Sequence, residues 1–117
     1  MTDQENKISK LIQSDKVVVF MKGSPDFPQC GFSAQVVDIL SFFNVKYSSY
    51  NVLDDNDLRE GIKKFSNWPT IPQIYINNEF IGGCDIFREM LENNEIEGLF
   101  KENDVSFNKQ EINPESI

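Results

Sequence analysis

Residues 68–83 read WPTIPQIYINNEFIGG, and the outline of a hairpin is complete within them. Apolar side chains alternate on either side of Asn77-Asn78, a pair that tolerates the positive φ of a tight turn. It departs from the commoner Asn-Gly, but a hairpin accepts it. Pro72 has no N–H and fits only the start or edge of a strand. Gly82 and Gly83 close the second strand and permit close backbone approach. Cys84 and Asp85 then open a helix. An antiparallel pair at this point decides what the earlier segments are assembled upon.

Toward the N-terminus the pattern alternates helix and strand. ENKISKLIQSD (5–15) places Ile8, Leu11 and Ile12 at helical spacing, and KVVVFMKG (16–23) is a β-branched run that reads as a buried strand. After the loop SPDFPQ (24–29), CGFSAQVVDILSFFN (30–44) has Val36, Val37, Leu40 and Phe43 along one helical face. VKYSSYNVL (45–53) is a second strand. DDNDLREGIKKFSN (54–67) is a third helix, capped by Asp54 or Asp55 and turning Leu58, Ile62 and Phe65 inward. Beyond the hairpin, CDIFREMLENNEIEGLF (84–100) supplies one or two closing helices, and DVSFNKQEINPESI (104–117) is a polar tail expected to fray. The order α-β-α-β-α-β-β-α is a βαβ unit joined by a helix to an antiparallel hairpin. That is the thioredoxin fold, an α/β architecture with a four-stranded mixed sheet and about five flanking helices. One domain is expected over residues 1–103, with the tail at 104–117.

Composition narrows the function. The 117 residues are 39% hydrophobic and 26% charged, as in a globular domain. No run approaches the roughly 18 apolar residues of a membrane span, and MTDQENKISK has no apolar or Arg-rich targeting character. A cytoplasmic location is the expectation. Residues 1–53 hold five acids and five bases, so the net charge of −8 arises after residue 53. That balance argues against nucleic-acid or anionic-membrane partners. There is no histidine, which removes Ser-His and Cys-His dyads and His metal sites together. Two cysteines are too few for a Cys₄ site, so a metal held by four sulfurs needs sulfur from elsewhere.

The chemistry centres on FPQCGFSA (27–34). Cys30 follows a strand and loop and begins a helix, where N–H groups and the helix dipole lower a thiol pKa from its usual value near 8.5. Lys22, at the end of the strand, adds a positive charge. A reactive thiol is one reading; a small buried core residue is the other. Ser33 stands where a Cys-x-x-Cys pair has its second sulfur. The Ile71-Pro72 bond is either an ordinary trans strand start or a cis bond that exposes the Ile71 backbone to an extended ligand. Cys84 and Asp85 are either a helix cap or an anion site for a ligand carboxylate.

KGSPDFPQCGFSAQ (22–35), NWPTIPQIYINNEFIGGCDI (67–86) and their spacing closely resemble the monothiol glutaredoxins of the CGFS class, over about residues 5–100. The resemblance implies a glutathione site and an iron–sulfur site that share the Cys30 sulfur. It implies that Lys22, Arg59 and Lys63 hold the glycine carboxylate of glutathione. Ile71, ahead of a cis-Pro72, pairs with the cysteinyl part, and Cys84 with Asp85 receives the γ-glutamyl end. Phe32, Thr70 and Gly83 line the same groove; Lys64 is a solvated neighbour.

A [2Fe–2S] cluster needs four thiolates. The resemblance implies a homodimer in which two Cys30 sulfurs and two glutathiones supply them, with a monomer in the apo state. Three roles follow. The first is a carrier that hands the cluster to apo iron–sulfur proteins. The second is a glutathione-dependent oxidoreductase acting through Cys30, weak at most because Ser33 cannot resolve a mixed disulfide. The third, additional to the carrier, is a complex with a BolA-type partner. A disulfide between Cys30 and Cys84 is left open.

Overall fold

The computed structural model describes residues 2–110. Its elements run α1 (Asp3–Ile12), β1 (Val17–Met21), α2 (Gly31–Phe42), β2 (Ser48–Asn51), α3 (Asn56–Ser66), β3 (Gln73–Ile76), β4 (Glu79–Gly82), α4 (Cys84–Glu92) and α5 (Ile96–Glu102). The sheet order is β2-β1-β3-β4, with β1 and β2 parallel and the other pairs antiparallel. This is the expected βαβ unit joined to a hairpin.

β1 is buried along its whole length because both faces are covered. Val17, Val19 and Met21 enter one core with Val36, Leu40, Phe87 and Phe100 from α2, α4 and α5. Val18 and Phe20 enter the other with Ile8, Ile12, Leu58 and Ile62 from α1 and α3. A continuous apolar run is what such a central strand requires, and its period of two divides it between the cores. Asn77 and Asn78 both take positive φ, 49° and 69°, as the hairpin turn demands. Asp55 caps α3, its Oδ1 accepting from the Leu58 N–H at 3.1 Å.

One expectation is corrected. Phe65 does not face inward; it is 40% exposed, at the edge of the stripe formed by Leu58 and Ile62. Of the expected tail, residues 108 and 110 meet the C-terminal end of α2. The Asn108 N–H donates to the Phe43 carbonyl at 2.8 Å and the Gln110 N–H to the Phe42 carbonyl at 2.9 Å, groups that a helix end leaves without partners. Val105 is buried, and the Phe107 ring packs against Phe43 and Phe100. Alternation of apolar residues at 105 and 107 is the signal that polar composition obscured. The remainder of the expected tail, 111–117, lies outside the described residues.

Phe107→Ala is expected to lower unfolding stability in urea by about 1–3 kcal/mol, the range for losing a partly buried aromatic contact. An unchanged midpoint would show that the segment is detached in solution.

Candidate functional site

The site is assembled where β1 leaves the sheet. The antiparallel register pairs Val17 with Ile76 and Phe20 with Gln73, and the Asn77 N–H donates to the Lys16 carbonyl at 2.8 Å. Continued by the same alternation, the ladder brings Lys22 and Ile71 to the next hydrogen-bonded position. Lys22 is diverted from it. Its N–H donates to Ser33 Oγ at 3.1 Å, and its carbonyl accepts from the Gln29 N–H at 2.9 Å. Among the described residues, the Ile71 N–H and carbonyl have no hydrogen-bond partner. An unpaired ladder position can accept an extended peptide-like ligand.

Beyond Lys22 the loop folds tightly back on itself. The Gly23 N–H donates to Asn51 Oδ1 at 2.9 Å, and Asn51 also takes the Leu53 N–H. Gly23 has φ +93°, and a Cβ there would lie 2.5 Å from the Phe27 carbonyl oxygen, so only glycine fits. The loop returns the chain to Cys30, the N-cap of α2, in extended conformation and partly exposed. Its side chain closes no cap hydrogen bond. Partial burial pushes the thiol up. The N–H dipoles of Ser33 and Phe32, aided by the Lys22 ammonium, outweigh this and hold its pKa below the ordinary value.

Next to the first turn of α2 lies a cleft of about 270 Å³ between the 68–72 segment and the start of α4. Phe32, Thr70, Ile71 and Pro72 form one part of its wall, and Gly83, Cys84 and Asp85 another. The Ile71-Pro72 bond is cis. Gly83 allows the two walls to approach, since a Cβ on it would stand 3.1 Å from the Pro72 carbonyl oxygen. Cys84 is buried, with its Sγ 3.4 Å from Gln35 Oε1. Burial pushes its thiol up; Arg88 opposes this, while Asp85 and Cys30 reinforce it. The two cysteines therefore differ in character: the Cys30 thiol ionises more readily than an ordinary one and the Cys84 thiol less readily.

Seven of the residues assigned from sequence thus meet in one cleft, and Cys30 caps the helix that carries Phe32. Lys22, Arg59 and Lys63 do not form its walls. Lys22 acts on the Cys30 sulfur. Arg59 is half-buried on α3 with its Nε unpartnered among the described residues, and Lys63 pairs with Glu60 at 3.8 Å. Trp68 and Ile86 also line the cleft and were missed. Trp68 belongs to a motif whose reading rests on Thr70, Ile71 and Pro72, and Ile86 follows Cys84 by two residues on the helix opening. Among the described residues no three His, Cys, Asp or Glu side chains converge to hold a metal ion.

A glutaredoxin family model matches residues 17–81. The chain is 53% identical over 102 residues to a probable monothiol glutaredoxin 2 of Rickettsia typhi, covering 84% of this chain and 92% of that protein. The chain belongs to the monothiol glutaredoxins. A second relative, monothiol glutaredoxin-S11 of Oryza sativa, is 48% identical over 104 residues; 89% of this chain is covered, but only 21% of the rice protein's length. Among solved structures, a monomeric truncated mutant of Trypanosoma brucei 1-C-Grx1 superposes with a TM-score of 0.81 at 35% identity, covering 91% of this chain and 96% of that one.

In this glutaredoxin Ser33 is more than a missing thiol. It is fully buried, and its hydroxyl accepts from the Lys22 N–H, one residue beyond β1. Ser33→Ala leaves the Lys22 N–H without that acceptor and is expected to cost about 1–2 kcal/mol in urea unfolding. Iodoacetamide is expected to label Cys30 before Cys84, because the lowered and more exposed thiol ionises at lower pH than the raised, buried one. Lys22→Met is expected to move the Cys30 alkylation profile to higher pH, as a positive charge favouring the thiolate is lost. Equal labelling of both cysteines, read by mass spectrometry, would contradict the electrostatic assignment.

Proposed function

We propose that this glutaredoxin binds glutathione in the cleft beside Cys30, shares a [2Fe–2S] cluster with it, and passes that cluster to apo-proteins. The observation that carries the reading is the pairing of one activated sulfur, Cys30, with a cleft whose wall presents the unpaired Ile71 backbone. The cleft suits a short thiol peptide. Ile71 offers one donor and one acceptor to the cysteinyl unit, and the start of α4 at Cys84 and Asp85 offers N–H groups to a terminal carboxylate. Lys22, Arg59 and Lys63 supply cations for the opposite carboxylate.

Four thiolates must hold the cluster, and one chain has a single suitable sulfur. Cys84 is a poor second ligand because burial favours its protonated form. Two protomers and two glutathiones complete the set, so half of the ligation is exchangeable and can leave without unfolding the protein. The helix dipole at Cys30 and the Lys22 charge favour a sulfur ligand that bears negative charge. Ser33 supplies no resolving thiol, which disfavours rapid dithiol turnover.

Anaerobic reconstitution with ferrous iron, sulfide and glutathione is expected to give a brown dimer. Cys30→Ser is expected to remain colourless and monomeric. Wild-type protein that keeps its iron and sulfide after glutathione is removed would overturn the shared ligation. Protein that stays colourless while rapidly reducing a glutathione mixed disulfide would instead identify a monothiol oxidoreductase.

A further inference from the structure

The 68–72 segment displays the Ile71 backbone, yet it lies outside the helices and strands and contains two prolines. Proline fixes φ but donates no N–H, so the segment can do little to satisfy its own carbonyls. A side chain from the sheet does this. Gln73, the first residue of β3, is fully buried. Its Nε2 donates to the Trp68 carbonyl at 3.2 Å and to the Thr70 carbonyl at 3.3 Å. Its Oε1 accepts from the Tyr75 hydroxyl at 3.1 Å. Every polar atom of a buried amide is thereby engaged, in a place where an apolar side chain would avoid the burial cost altogether.

Tyr75 is fixed in turn. It is 2% exposed, and its ring packs against Phe20 at 5.6 Å and Phe80 at 5.4 Å between centroids. Burial pushes its hydroxyl pKa up to about 12, with the Ser66 hydroxyl opposing, so it stays a neutral donor to Gln73. Phe80 also tilts against the Trp68 ring at 5.6 Å. The segment is therefore held through its carbonyls by Gln73 and through its indole by Phe80, on either side of Pro69. Ile71 lies one residue beyond the second anchored carbonyl.

We propose that Gln73, steadied by Tyr75, is a positioning residue for glutathione: its buried amide holds the 68–70 backbone so that the Ile71 N–H and carbonyl stand ready to pair with the cysteinyl unit. The inference rests on the glutathione reading above and adds the group that prepares the surface the peptide meets. Gln73 touches no ligand. It acts by sparing Ile71 the ordering cost at the moment of binding.

The test is a titration of the ¹⁵N-labelled full chain with reduced glutathione, followed by amide shifts. Wild-type protein should show shifts at Ile71 and at Cys84–Asp85; their absence would defeat the glutathione reading itself and this inference with it. Gln73→Met keeps the volume and removes the amide. It should weaken glutathione binding about tenfold, the scale of one lost hydrogen bond, and reduce the Ile71 shift while that at Cys84–Asp85 persists at saturation. Tyr75→Phe retains the ring and removes only the hydroxyl, and it should weaken binding about two- to threefold; it serves also if Gln73→Met does not fold. Wild-type affinity in the folded variants overturns the inference, and so does an even loss of shifts across the whole cleft, which marks general loosening rather than positioning.

Discussion

β1 is covered on both faces, and that constraint organises the rest of the molecule. Its five residues divide between two cores, so helices must lie on both sides of the sheet and the chain can emerge only at the strand's ends. At the exit the backbone must find new partners, since a buried strand end cannot leave N–H and carbonyl groups idle. Ser33 and Gln29 supply them to Lys22. The same two bonds bring the start of α2 against the strand, placing the Cys30 sulfur beside Lys22, and they leave Ile71 across the sheet without its natural counterpart. The placed thiol and the unpaired backbone edge are two results of one termination.

Electrostatics then separate two sulfurs that sequence presents as alike. Cys30 feels backbone dipoles from the first turn of its own helix and a neighbouring ammonium; Cys84, one helix away, feels mainly its burial. Both residues sit at the opening of a helix, so the contrast rests on which sulfur the first-turn N–H groups and a lysine ammonium act on, and on how far each is enclosed. The accessible sulfur is the more readily ionised, and the enclosed one forms a wall of the cleft.

Much of this was legible in sequence where local chemistry alone decides. The Asn77-Asn78 turn, the apolar run of β1, the Asp55 cap and the place of Cys30 at a helix start each depend on a few adjacent residues. Features that depend on distant segments were harder to read. The cleft is formed by 68–72 meeting 83–86, so Trp68 and Ile86 became visible as walls only once the hairpin was folded. Gln73 would ordinarily be placed facing water, but β3 is buried throughout and turns it into a structural donor. Phe65 was assigned inward by a helical period too coarse to separate the stripe from its edge. The cations on α3 show the converse: charge and motif position brought them to notice, and folding put them outside the cleft wall.

The segment after α5 also has a consequence for anyone handling the protein. α2 has Cys30 as its N-cap, and its far end is stoppered by Asn108 and Gln110. Trimming at the last residue of α5 to tidy an expression clone would uncork the helix on which the chemistry stands. A reporter or affinity handle belongs beyond that stopper, where its attachment leaves the mooring intact.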